Sequence, residues 1–314
     1  MKRRPLGGTG LEVSELGFGA SPLGRLPRGG ERRGIEAVHT ALELGITFFD
    51  VSPYYGETVA ETVLGKALRG VDRSAYVLAT KVGRYSDTEF DFSAERVTRS
   101  VRESLDRLGT DHLDLVQCHD VEFGDLDQVV RETIPALRAL QEDGVIGAVG
   151  VTGYPLPALA YVVERAPVDT IISYCHYTLQ NRRLAAWRDR FARRGTAVIN
   201  ASPLAMGALT NRGAPSWHPA PAEILKCCAE AGALCGARGE ELARVALQFA
   251  VSTGDFPTTL VGAADPEEVR RNVRWLSEPR DEELLREVEA CLEPVRDVSW
   301  PNGRPENQNP GGEP

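Results

Sequence analysis

Apolar and β-branched residues gather into eight short runs of strand length, at 16–19, 46–50, 76–81, 113–118, 148–152, 170–175, 196–201 and 258–262. Between them, apolar positions recur every three or four residues, the period of a helix with one buried face. Val97, Val101, Leu105 and Leu108 form such a stripe behind Ser93, a favoured N-cap residue. Leu126, Val129, Val130, Leu137 and Leu140 form another, in which Pro135 removes a backbone donor and predicts a kink or a restart. Leu242, Val245, Ala246 and Phe249 mark a third, and Val269, Val273 and Leu276 a fourth. A last stripe runs through Leu284, Leu285, Val288, Cys291 and Leu292.

Strands alternating with helices predict a parallel sheet with right-handed crossovers. Eight such units predict an α/β protein of the (β/α)8 barrel type. An open, doubly wound sheet would carry a glycine-rich phosphate turn after its first strand. Here Gly17-Phe18-Gly19 runs into Ala20-Ser21-Pro22, so GxGxxG is not met. Ahead of the barrel, 3–6 and 11–16 flank the turn Gly7-Gly8-Thr9-Gly10 and predict a β-hairpin. The pattern therefore predicts one barrel domain over 1–300, closed by a C-terminal helix. An apolar-poor stretch over 301–314 reads as a mobile tail.

Composition narrows the class. With 42% hydrophobic and 26% charged residues among 314, the chain is globular rather than disordered. A net charge of −9 argues against a nucleic-acid partner, which would call for clustered positive charge. No apolar run approaches the roughly 18 residues of a membrane span. Met1-Lys2-Arg3-Arg4 is basic, but Pro5-Leu6-Gly7-Gly8 follows where a signal peptide would be apolar. A soluble, cytoplasmic protein is expected. Six cysteines form no CxxC pair, and the five histidines do not bracket them at zinc spacing, so reduced structural thiols and no metal are expected.

Chemistry enters at the strand ends, where barrels carry their catalytic groups. Asp50 closes the second run, Lys81 the third and Thr152 the fifth, while His119 follows the fourth. Tyr55 lies on the short loop behind Asp50. Lysine is scarce, occurring only at positions 2, 66, 81 and 226, so a lysine at a buried strand end calls for a reason specific to an ammonium. A buried Lys81 or Asp50 alone would be costly, and the two are expected to pair. An ammonium near Tyr55 would then stabilise its phenolate. Bringing a phenol from its usual pKa of about 10 to about 7 takes roughly 4 kcal/mol. Tyr55 would serve as proton donor and acceptor, with His119 orienting the substrate oxygen. Singly, each residue has a structural role to fall back on; four at successive strand ends point to a site.

At these residues the chain resembles the aldo-keto reductases, whose Asp, Tyr, Lys and His fall on Asp50, Tyr55, Lys81 and His119. The resemblance spans about 3–300 and includes Ala79-Thr80-Lys81, Ser202-Pro203-Leu204 and Asp265-Pro-Glu-Glu-Val-Arg-Arg-Asn272. Phe18-Gly-Ala-Ser-Pro-Leu-Gly24, Cys118-His-Asp-Val-Glu-Phe-Gly124, Ala201-Ser-Pro-Leu-Ala-Met-Gly207 and Trp300-Pro-Asn-Gly303 are more similar to its L-galactose-oxidising, aldose 1-dehydrogenase subgroup. The resemblance implies hydride transfer to a nicotinamide cofactor without a metal, oxidising an aldose at C1 to a lactone. L-Galactose is the favoured sugar. L-Fucose, D-arabinose, another aldose, pyridoxal or a general aldehyde or ketone are the alternatives.

Cofactor positions follow from the same resemblance. Thr152 and Gly153 fall where the family holds the nicotinamide amide with Ser-Asn. Tyr174 falls at the usual Gln, and Ala201 where many members stack a tyrosine. Ser202, Leu204 and Gly207 would lie along the pyrophosphate. Gly262 and Glu268 stand where NADP-binding members carry Lys and Arg, with Asn272 among the cofactor contacts. A carboxylate there would repel a 2′-phosphate by about 1–3 kcal/mol, so NAD is expected over NADP. Arg270 and Arg271 lie nearby and are read as a solvated helix face. Tyr85, Phe123 and Trp217 are candidate sugar contacts, with Trp300 beside them and loop packing as the competing role. His176, Cys118 and Cys175 are assigned to packing. Two other classes compete with this reading. A Schiff-base aldolase at Lys81 would need a lowered lysine pKa, which Asp50 opposes. A non-catalytic cofactor-binding subunit is at odds with four intact catalytic positions.

Overall fold

The apolar runs become the staves of a closed barrel. The computed structural model describes residues 1–310. Among them are ten strands: β1 (Arg3–Pro5), β2 (Glu12–Ser14), β3 (Leu16–Gly19), β4 (Phe48–Asp50), β5 (Val77–Val82), β6 (Leu113–Cys118), β7 (Ile146–Gly153), β8 (Thr170–Tyr174), β9 (Ala197–Ala201) and β10 (Thr259–Gly262). Strands β3 to β10 close in chain order, every neighbouring pair parallel, with β10 returning to β3. Strands β1 and β2 pair antiparallel, from Arg3 against Ser14 to Pro5 against Glu12. This is the expected hairpin, with shorter strands.

Because side chains alternate along a strand, each stave feeds two cores. Phe48, Val77, Ala79, Leu115, Ala148, Ile172, Ile199 and Leu260 meet inside the barrel. Leu6 and Val13 of the hairpin join them. The hairpin lies at the N-terminal end, where a Cβ on Gly7 would come within 2.8 Å of Ala197 at the start of β9. Glycine at position 7 is thus set both by a positive φ of 57° and by this close approach. One step further along the inward row, Phe48 leads to Asp50, Ala79 to Lys81 and Leu115 to Gln117. The polar groups therefore sit at the C-terminal mouth.

The helical stripes form the outer layer. Ser93 Oγ accepts from the Arg96 amide at 3.3 Å and caps Ala94–Leu108, which ends on left-handed Gly109. The stripe broken by Pro135 runs from Leu126 to Glu142 through a π turn, Val129–Thr133. The Ile134 amide reaches back to the Val129 carbonyl, and Pro135 opens the next segment. No helix among the described residues is long and apolar enough to cross a membrane.

The tail departs from expectation. Residues 301–310 are docked, not mobile. The Arg304 amide donates to the Glu122 carbonyl at 2.9 Å, and Asn307 Nδ2 donates to the carbonyls of Glu122 and Gly124, both at 2.9 Å. Trp300 stacks on Tyr154 with ring centroids 4.9 Å apart. Polar side chains anchor this segment, which is why low apolar content was a poor guide. Residues 311–314 lie outside the described residues.

Candidate active site

Strand ends bring Asp50 and Lys81 together with almost no exposure. Lys81 Nζ donates to Asp50 Oδ2 at 2.5 Å and to the Val51 carbonyl at 2.9 Å. Gln117 Nε2 donates to the other Asp50 oxygen at 2.9 Å. The pair is therefore both matched and hydrogen-bonded, the condition for holding two charges in a dry interior. Burial raises the Asp50 pKa against the pull of Lys81. Burial also works against the Lys81 ammonium, but Asp50 and Tyr55 outweigh it and its pKa rises. Lys81 remains an ammonium.

Tyr55 follows on the loop after β4. Lys81 Nζ is 4.8 Å from its ring centroid, and the ring meets His119 edge-on at 5.6 Å. Tyr55 also lines a cleft of about 130 Å³ with Ser21, Arg25, Tyr54 and Asp87. Its acidity corrects the expectation from sequence. The phenol is not brought to about 7 but pushed up to about 12. Burial is the largest cause; Lys81 pulls the other way, while Asp50 and Asp120 reinforce burial. Desolvating a phenolate outweighs one ammonium already shared with Asp50.

His119 follows β6, with Nδ1 2.9 Å from Ser52 Oγ. Burial drives its pKa down to about 3 against the opposing pull of Asp120, so the ring is neutral. Around it stand residues that sequence reasoning passed over. Asp120 accepts from Arg84 Nη1 at 2.6 Å. Glu122 is fully buried, and its Oε1 accepts from the Tyr154 amide at 3.0 Å and from Asn302 Nδ2 at 2.8 Å. Among the described residues its other oxygen has no partner. Burial, then Asp120, push the Glu122 carboxyl up to about 8. Two acids in the five residues after an apolar strand were the available signal for both.

The remaining candidates divide. Thr152 Oγ1 is taken by Asp120, accepting from its amide at 3.0 Å and donating to Oδ1 at 3.3 Å. Gly153 lies against Glu122, whose free oxygen stands 2.6 Å from an added Cβ. Tyr174 ends β8 beside Ala201, and its hydroxyl accepts from Asn302 Nδ2 at 2.9 Å. Ser202, Leu204 and Gly207 share one loop, in which Ser202, Ala205, Met206 and Gly207 all have positive φ. Gly262 closes β10, Glu268 Oε2 accepts from the Ala264 amide at 3.4 Å, and Asn272 is buried on the same helix. Arg270 pairs with Glu267 at 2.9 Å, as a solvated face would, whereas Arg271 departs from that expectation, with its Nε buried and its guanidinium 5.2 Å over the Trp275 ring.

Tyr85, on the loop after β5, is largely buried. Its hydroxyl accepts from the Gly83 amide at 3.1 Å, and Arg96 lies 3.7 Å over its ring. Phe123 stacks on Phe90 at 4.9 Å and faces Arg84 at 4.9 Å, so it reaches the site through that guanidinium. Trp217 is exposed, with Arg25 5.6 Å from its ring. His176 packs on Tyr154 at 4.3 Å, and Cys118 and Cys175 are buried.

Comparison with known proteins bears on this geometry. A model of the aldo/keto reductase family matches residues 15–293. The chain is 46% identical to an L-galactose dehydrogenase of Arabidopsis thaliana, covering 97% of this chain and 98% of that one. It is 34% identical to a D-arabinose 1-dehydrogenase of Saccharomyces cerevisiae, over 75% of this chain and 74% of that one. Among solved structures, the holo form of an aldo-keto reductase from Bacillus halodurans superimposes with a TM-score of 0.77 at 28% identity, over 98% of this chain and 99% of that one. With a barrel of this topology and an Asp-Tyr-Lys-His cluster at its mouth, the chain belongs to the aldo/keto reductase family, oxidoreductases that act on CH–OH groups with nicotinamide cofactors.

Proposed function

We propose that the protein oxidises an aldose at C1 to the lactone, with L-galactose as the favoured sugar and NAD as the favoured cofactor. The observation that carries this reading is the buried Lys81–Asp50 pair beneath Tyr55, beside a neutral His119. The names of two relatives, an L-galactose and a D-arabinose dehydrogenase, support an aldose as substrate.

The loop over 202–207 fits a dinucleotide. Left-handed backbone at Ser202, Ala205 and Met206 is uncommon for non-glycine residues, and such turns form concave anion sites. Ser202, Leu204 and Gly207 would hold the pyrophosphate; Gly262, Glu268 and Asn272 would hold the adenosine end, where Glu268 suits a free ribose. When bound, the cofactor supplies the acceptor for the hydride that leaves C1. The Tyr55 phenolate, steadied by the Lys81 ammonium, takes the proton of the C1 hydroxyl and becomes the neutral phenol, and Asp50 holds Lys81 in place. His119 donates to the substrate oxygen and keeps it oriented. Because the Tyr55 phenol is pushed up, its phenolate is scarce at neutral pH and oxidation is favoured by alkaline conditions.

The test is a panel of aldoses with NAD+ and NADP+, followed by nicotinamide absorbance. The expected result is the highest kcat/KM for L-galactose with NAD+. A preference for D-arabinose would keep the chemistry and change the sugar. Turnover of no aldose, or a higher kcat/KM with NADP+, would overturn the corresponding part of the reading.

A further inference from the structure

Asp120 takes no part in the proton transfer above, yet the structure holds it firmly. Its backbone is left-handed, with φ 49°, a strained choice for a residue other than glycine. Arg84 Nη1 donates to Oδ2 at 2.6 Å, and Thr152 bonds both its amide and Oδ1. Arg84 is itself stacked, 3.9 Å over Tyr54 and 4.9 Å over Phe123. The object of this clamping is the neighbouring imidazole. Asp120 Oδ2 stands 3.6 Å from His119 Nε2.

The other imidazole nitrogen is fixed by Ser52. Ser52 Oγ accepts from the Tyr54 amide at 3.1 Å and contacts His119 Nδ1 at 2.9 Å. Ser52 is fully buried, and among the described residues no other acceptor meets its hydroxyl. Its proton therefore goes to Nδ1. A neutral ring that accepts at Nδ1 carries its hydrogen on Nε2. A carboxylate at 3.6 Å favours that hydrogen and disfavours a lone pair in its place. The same distance is too long for Asp120 to consume the hydrogen in a bond of its own.

We infer that Asp120, clamped by Arg84 and Thr152, is a positioning residue that fixes His119 as the neutral Nε2–H tautomer and leaves that hydrogen free for the substrate oxygen. The identity of that oxygen rests on the proposed function; the tautomer does not. Isosteric Asp120→Asn keeps an oxygen on Arg84 but removes the negative charge that favours a hydrogen on Nε2, so the preference for Nε2–H over Nδ1–H weakens. A ring held in the wrong tautomer can cost a catalytic histidine as much as about 10⁴-fold in kcat.

The experiment is a two-bond ¹H–¹⁵N spectrum of ¹⁵N-histidine-labelled protein, with His119→Gln used to assign the ring. In the unaltered protein, His119 should show an unprotonated Nδ1 and a protonated Nε2 throughout the neutral range. Asp120→Asn should shift His119 toward Nδ1–H and lower kcat for sugar oxidation about 10²- to 10⁴-fold, with cofactor affinity unchanged. An Nδ1–H ring in the unaltered protein overturns the inference, as does an Asp120→Asn ring that keeps Nε2–H. If Asp120→Asn does not fold, the unaltered protein's spectrum and that of Ser52→Ala, expected to lose the tautomer preference in part, decide it. If no sugar is oxidised, the spectra still read the tautomer and only the proposed function fails.

Discussion

On the β4–β6 side of the barrel mouth, Asp50, Lys81 and His119 each meet a polar partner within 2.9 Å. On the β7–β9 side, Thr152 is committed to Asp120, Gly153 and Ala201 have no polar side chain, and the Tyr174 hydroxyl is bonded to Asn302 of the docked tail. One side is a dry, charge-matched cluster built from strand ends. The other is shaped by contacts between segments far apart in the chain. Proton chemistry therefore rests on residue identity, while the proposed nicotinamide side is shaped by Asp120, Glu122 and the tail.

Breaking the first side should have the larger effect. Lys81→Met leaves Asp50 buried and unpaired, and should destabilise the fold by about 3–5 kcal/mol in urea denaturation while abolishing turnover. A variant of unchanged stability would mean that the pair is not held dry.

The pH dependence sharpens the comparison next. With the Tyr55 pKa near 12, the phenolate fraction grows about tenfold per pH unit below that value. Log kcat/KM for sugar oxidation should climb with pH through the alkaline range, and carbonyl reduction, which uses the protonated phenol, should not. A plateau for oxidation beginning near neutrality would show that bound cofactor lowers the phenol to the value first expected from sequence.

The second side should respond more gently. Glu122 has its folded pKa raised to about 8, so the folded state favours the protonated carboxyl. That preference stabilises the fold below the ordinary carboxylate pKa and is lost as pH rises through about 8. Glu122→Gln mimics the protonated form. Thermal unfolding should show little change at or below the ordinary carboxylate pKa and a variant increasingly more stable than the unaltered protein as pH rises toward about 8. Equal loss at both would show that the carboxylate, not the acid, is the working form.

The sequence already exposed the first side. A polar residue closing an apolar run marked Asp50 and Lys81, and the scarcity of lysine marked Lys81 again. Pro135 likewise marked its π turn. Alternation carries no information on partners distant in the chain, so the meeting of Glu122 with Asn302, 180 residues away, was hidden. The docked tail was missed because hydrogen bonds hold it, and apolar content does not register them. Counting charges near Tyr55 favoured a low pKa. How far the site excludes water decided the opposite, and that depends on the closed fold.

Tyr55→Phe tests the central claim most directly, by removing one oxygen from a ring that stays in place. Aldose oxidation measured at alkaline pH beside cofactor binding should show kcat reduced by about 10²- to 10⁴-fold, the span of acid–base catalysis, with cofactor affinity unchanged. Sugar oxidation by Tyr55→Phe at close to the unaltered rate would contradict a phenol as the proton acceptor.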